Sequence, residues 1–167
     1  MPRIEATGAQ GLNLHKLVEL VAASSVFQEK RDVTTAALAE NHIYWPWLEL
    51  DDGAIDDARP FAVIEQGGIE WERLAGGGEN HLLPSGTLRL TLTDFDRWDT
   101  DYKSSATDFL NFVDGVIADV VEMAGSDDRA AIEGITQTQV PMQNDPTKEP
   151  ARRRYWSTQY EVSWNPI

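Results

Sequence analysis

Carboxylates are the side chains of this chain with the most obvious chemical potential, and they gather in two places. The stretch "ELDDGAIDD" carries Glu49, Asp51, Asp52, Asp56 and Asp57, and "DFDRWDTD" carries Asp94, Asp96, Asp99 and Asp101. The first cluster could chelate calcium, but the order D-x-[DN]-x-[DN]-G with a closing Glu, which an EF-hand loop needs, is not met. It reads as a solvated acidic loop. The second offers paired carboxylates of the kind hydrolases use as acid and base. No nucleophile, histidine or metal partner is spaced to serve them, so the pairing assigns no reaction. His15, His42 and His81 lie far apart without H-x-x-x-H spacing, which argues against zinc. The chain has no cysteine, which excludes disulfides, thiolate nucleophiles and Cys-based zinc or iron–sulfur sites. There is no P-loop, G-x-S-x-G elbow, H-E-x-x-H or dinucleotide fingerprint, and Gly76–Gly78 lacks the Lys-Ser/Thr that a phosphate loop requires. The expectation is a protein that is not an enzyme and uses no cofactor or metal.

The cations raise a different question. Lys148, Arg152, Arg153 and Arg154 make the connector "PMQNDPTKEPARRR" locally basic in a chain of net charge −14. They could contact DNA, bridge to a neighbouring subunit, or flank a hairpin in solvent. Nucleic-acid affinity comes chiefly from cations displacing counterions. Twenty-eight acidic residues against 14 basic ones therefore disfavour a dedicated DNA binder. Opposite-sign patches on one chain favour head-to-tail association, with the basic connector meeting the acidic segments 49–57 or 94–101 of a neighbour. Tyr44, Trp45 and Trp47, in "HIYWPWLEL", are a second candidate contact surface, or the platform of a small binding module, because Trp and Tyr are enriched at interface hot spots.

The elements that must position these groups can be read from periodicity. Residues 12–30 place Leu14, Leu17, Val18, Val21 and Ser25 on one helical face. Residues 34–38 suggest a short helical turn. Pro46 denies "HIYWPWLEL" a central place in a sheet, and "DDGAIDDARP" reads as loop. "RPFAVIEQ" predicts a strand ending in a tight hairpin at Gly67-Gly68, followed by a second strand, "IEWERLAG". In "GTLRLTLTDF", Leu88, Leu90 and Leu92 alternate with Thr87, Arg89, Thr91 and Thr93, as in a half-buried strand.

A second helix is predicted over "ATDFLNFVDGVIADVVEMAG". Thr107 or Asp108 would be its N-cap, Gly125 its C-cap glycine, and Phe109, Phe112, Val113, Val116, Val120 and Met123 its apolar stripe. Gly115 inside it implies close packing. "AAIEGITQTQV" and "YWSTQYEVSW" are the last strands, and the second puts Trp156, Thr158, Tyr160, Val162 and Trp164 on one face. The expected fold is α+β: a single mixed, mainly antiparallel sheet of about five strands, two helices packed on one face, and long projecting hairpin loops, all in one domain over 1–167.

With this order laid out, the chain resembles the tail terminator (tail completion) proteins of long-tailed bacteriophages and related phage-derived particles. The likeness rests on the early helix "LVELVAASSVFQ", then "ARPFAVIEQ", "GTLRLTLTDF", the helix "DFLNFVDGVIADV", and a closing strand, extended hairpin and "YWSTQYEVSW". It is one of order and texture, with no catalytic motif. It implies a mixed sheet with flanking helices and a homo-oligomer, a six-membered ring on the head-proximal end of the tail tube. That ring ends tube growth and presents a surface to the neck. The implied partners are the major tail tube protein, a neck or connector protein, and genomic DNA passing through the lumen without specific binding.

The resemblance also implies a place at the tail–neck junction of the virion. No apolar run reaches the roughly 18–20 residues that span a bilayer, and the N-terminal residues lack the pattern of a secretory signal. Synthesis in the host cytoplasm, with no membrane partner, is therefore expected. Another neck-ring component, such as an adaptor or stopper, shares these features.

Overall fold

The computed structural model describes residues 6–48, 50, 54–73, 82–96, 101–126, 132–145, 147–150 and 153–165. In chain order the elements are helices α1 (Ala9–Ala23), α2 (Ser25–Lys30) and α3 (Ala36–Glu40), strand β1 (Ile43–Tyr44) and helix α4 (Ala54–Ala58). Strands β2 (Phe61–Arg73) and β3 (Leu82–Phe95), helix α5 (Tyr102–Ser126), and strands β4 (Ile132–Gln143) and β5 (Tyr155–Trp164) follow. The strands form one sheet in the order β1-β2-β3-β5-β4. Only the β1–β2 pairing is parallel; the other three are antiparallel. The fold is α+β, with a mixed five-stranded sheet.

Alternation along the strands decides where the core lies. Leu88, Leu90 and Leu92 of the central strand are fully buried, beside Ala62 and Ile64 of β2 and Tyr160, Val162 and Trp164 of β5. α1 covers this row with Leu14, Leu17, Val18 and Val21, and α5 covers it with Phe109, Phe112, Val113, Val116 and Val120. Each fully buried aliphatic side chain contributes about 1.5–3 kcal/mol, so this face dominates the stability. Gly115 lies where α5 meets α2: a Cβ there would stand 2.8 Å from Val26 Cγ2. The close packing expected at that position is present.

The helix expected over 12–30 is two helices. Ser24 leaves the helical region (φ −61°, ψ 122°), and its hydroxyl accepts from the Phe27 amide at 3.2 Å, capping α2. The same hydroxyl donates to Asp119 of α5 at 2.8 Å. Ser24, not Ser25, is therefore the buried serine, because short hydroxyl side chains compete with the helix for backbone groups. Lys30, in the last turn of α2, reaches Asp94 at 3.2 Å and Asp108 at 2.8 Å, tying α2 to the end of β3 and to α5.

Gly67-Gly68 is not a hairpin. β2 runs through it with a register shift between Gln66 and Ile69. The glycine is needed because β3 passes so close that a Cβ at Gly67 would lie 2.7 Å from the Thr87 carbonyl oxygen. The two strands expected over 59–66 and 69–76 are thus one, Phe61–Arg73 among the described residues, and β1 makes up the fifth, at the edge, two residues ahead of Pro46. "DDGAIDDARP" contains α4 rather than loop throughout.

α5 starts at Tyr102, upstream of the expected cap at Thr107 or Asp108. Asp101 accepts from the Ser104 amide at 3.1 Å and from its hydroxyl at 2.7 Å. Those bonds hold its carboxyl below the usual carboxylate range, and Asp108 serves instead as a partner of Lys30. Gly125 lies within the helix, not at a cap. β4 continues through Pro141, which falls in the register shift between Gln139 and Met142 of this edge strand, where a residue without an N–H is tolerated.

Trp164 is 1% exposed and packs on Gly86, where a Cβ would stand 2.8 Å from its ring. Its Nε1–H is buried without a hydrogen-bond partner among the described residues. Trp164→Ala is expected to cost about 3–5 kcal/mol in chemical denaturation. Trp164→Phe, which keeps a ring and deletes the unmade donor, is expected to cost much less. Equal costs would contradict the packing described.

Candidate functional site

The basic connector returns to the sheet at one end of its open face, and Arg59 fastens it there. Arg59 sits between α4 and β2, is buried, and takes Asp56 of α4 at 2.7 Å. Its Nε donates to Thr93 Oγ1 at 3.1 Å, and that hydroxyl in turn donates to the Trp156 carbonyl at 2.8 Å. The guanidinium lies 3.6 Å from the ring centroid of Tyr155, well inside cation–π range. Tyr155 directs its hydroxyl to both carboxylate oxygens of Glu149, at 3.1 and 3.2 Å. Asp56 uses its second oxygen to accept the backbone N–H of Arg153 at 3.2 Å. A buried guanidinium keeps its charge only where partners replace water; here it joins α4, β3 and β5.

The expected contact residues separate into groups. Arg153 and Arg154 are exposed. Arg153 lies 4.3 Å from the centroid of Phe95, and Arg154 donates to the Tyr102 hydroxyl at 2.7 Å. Lys148 is exposed in a turn capped by Asp145, whose carboxyl is held below its usual range by the Thr147 hydroxyl and amide. Asp56 is engaged as described, and Asp57 is exposed. The connector therefore meets the segment around Asp56, and the ring faces beside the 94–101 segment, within one chain. Arg152, Asp51 and Asp52 (and Glu49) lie outside the described residues.

The aromatic trio does not assemble. Tyr44 meets Phe61 on the open face with centroids 5.5 Å apart, Trp45 meets His15 of α1 at 5.0 Å, and Trp47 is 56% exposed. Strand alternation sends Tyr44 and Trp45 to opposite sides, so no shared platform forms.

Periodicity gave no sign of Arg59: its ion-pair partner Asp56 is three positions away, but Thr93 and Tyr155, which enclose it, are 34 and 96 positions away. The local hints are that acid one turn upstream and a cation directly ahead of Pro60 and an apolar run. A second network also went unseen. Asp96 is buried and bonded by Ser105 and by Gln143, and Trp156 Nε1 donates to Ser105 at 2.7 Å. The carboxylates of "DFDRWDTD" are thus divided: Asp94 and Asp96 belong to the interior, and Asp101 caps a helix.

Beside Arg59 the open face forms a cleft of about 200 Å3 floored by Phe61, Val63, Thr91 and Thr93 and walled by Ile55 and Tyr155. Among the described residues no group of three or more His, Asp or Glu converges as a metal-holding cluster, and no helix is long and apolar enough to cross a membrane. No protein-family model matches the chain, and no curated protein matches its sequence.

Asp56→Ala removes a charge-assisted bond to Arg59 and the anchor of the Arg153 amide. It is expected to cost about 1.5–3 kcal/mol and to make residues 145–153 cleave faster in limited proteolysis. Unchanged cleavage would show that Asp56 does not hold the connector.

Proposed function

We propose that this protein is a structural subunit of a bacteriophage tail. In this reading it is a tail-terminator-like component that closes into a ring of six at the head-proximal end of the tail tube, stops tube growth and offers the joining surface to the neck. Its partners are other copies of itself, the major tail tube protein and a neck or connector protein. It resides at the tail–neck junction of the virion and does no catalysis.

The reading rests on one observation. The sequence resemblance implies a mixed sheet with flanking helices, and this chain has a five-stranded mixed sheet with helices beside it, in which the quoted segments follow in the same order. Charge supports it. A ring of subunits each carrying −14 repels the phosphate backbone and lets DNA pass without holding it. So does the open face of the sheet, where Thr91, Gln159 and Glu161 stand in rows and Arg89 is neutralised by Glu65 at 2.7 Å.

In such a ring the exposed Arg153 and Arg154, with Lys148, face acidic residues of the next subunit. Replacing Arg152, Arg153 and Arg154 together by Glu is expected to abolish ring formation, measured by size-exclusion chromatography with light scattering, while the circular dichroism spectrum is unchanged. Rings that persist would remove the bridging role. Cross-links to neck protein without any to tube protein would shift the assignment to a head–tail adaptor or stopper.

A further inference from the structure

β2 and β3 stay paired as far as Arg73 and Leu82, but β5 stops at Trp164 opposite Gly86. Residues 70–73 and 82–85 therefore leave the sheet as a two-stranded ribbon. Ribbons of two strands are marginal in water on their own. This one carries Trp71, 58% exposed, between the exposed carboxylates Glu70 and Glu72. An exposed indole on such a two-stranded ribbon has the character of an interface anchor.

The matching cavity lies at the other end of the same strand, in the cleft beside Arg59. At about 200 Å3 it is below the roughly 300–1,000 Å3 of sites for free small molecules, and it suits one large side chain. Phe61, Val63 and Ile55 offer apolar contact, while the hydroxyls of Thr91 and Ser157 can accept an indole N–H. Arg59 and Tyr155, stacked on each other, line the side of the cleft. Charge is also complementary. The ribbon presents the exposed Glu70 and Glu72; the connector flanking the cleft presents the exposed Lys148, Arg153 and Arg154, while its Glu149, which lines the cleft, accepts from the Tyr155 hydroxyl. Ten residues of extended chain, roughly 30 Å, separate Phe61 from Trp71, so the ribbon cannot fill its own cleft.

We infer that Trp71 of one copy inserts into the Arg59–Phe61 cleft of a second copy. This rests on the ring reading above and specifies its contact. Knob and hole lie at opposite ends of β2, so the contact is head-to-tail, and it closes into a ring when the rotation allows.

The test is native mass spectrometry of the wild type, Trp71→Ala, Thr91→Trp (which fills the cleft), and an equimolar mixture of the two variants. The wild type is expected to assemble, and each variant alone to need at least ten-fold more protein. The mixture is expected to yield one-to-one heterodimers, because one variant keeps the hole and the other keeps the knob. If the wild type assembles and Trp71→Ala does so equally well, the insertion is overturned while the ring reading stands. A wild type that stays monomeric overturns both.

Should Thr91→Trp fail to fold by circular dichroism, a cross-linking pair replaces it. The chain has no cysteine, so Glu72→Cys copies mixed with Ser157→Cys copies can be joined by a short bismaleimide. Preferential heterodimers support the insertion, and cross-linking no faster than for either variant alone overturns it.

Discussion

Everything else in this structure depends on the burial of one row of side chains, Leu88, Leu90 and Leu92 of the central strand, beneath α1 and α5. Because side chains alternate along a strand, burying that row fixes what the opposite face can be. Thr87, Arg89, Thr91 and Thr93 must then point away from the helices, and the neighbouring strands follow the same parity. The sheet is dry on one side and polar on the other. Its strand ends and edges are left to whatever the connecting segments can cover.

That constraint explains why the connector is fastened where it is. The open face holds a small apolar corner, Phe61 and Val63, that helices on the far side cannot reach. α4, Arg59 and Tyr155 cover part of it. The stack of guanidinium on phenol, with Asp56 and Thr93 completing the shell, converts a corner that would expose apolar surface into a fixed shelf. The basic residues of the connector are displayed from that shelf rather than from a free loop. The cleft beside it is the space those groups leave over Phe61 and Val63, both of which are buried.

Much of this was legible in the sequence, and the reasons are specific. The alternation of Leu88 to Leu92 and of Trp156 to Trp164 has period two over enough residues to place each on its face, and the stripe from Phe109 to Val120 has the helical period. Where local patterns compete with long-range geometry, the reading failed. Gly67-Gly68 has the composition of a turn, but it accommodates the close passage of β3 at Thr87, a residue twenty positions away. Ser24 broke a helical pattern because Asp119, on another helix, accepts its hydroxyl. The candidate site was half visible. Charge drew attention to Lys148 and Arg152–Arg154, and to Asp56. Arg59, which organises the site, had no periodicity to reveal it. Asp94 and Asp96 read as paired carboxylates of an acidic segment until the fold placed Lys30 and Ser105 against them.

The central claim is that this one-sided sheet is a ring subunit that terminates a tail tube. The most direct measurement is negative-stain electron microscopy of the protein mixed with cognate tail tubes and free tube protein. The account predicts a ring at one end of each tube, six-fold in averaged end views, and no further growth from that end. Tubes with bare ends that continue to elongate would contradict it.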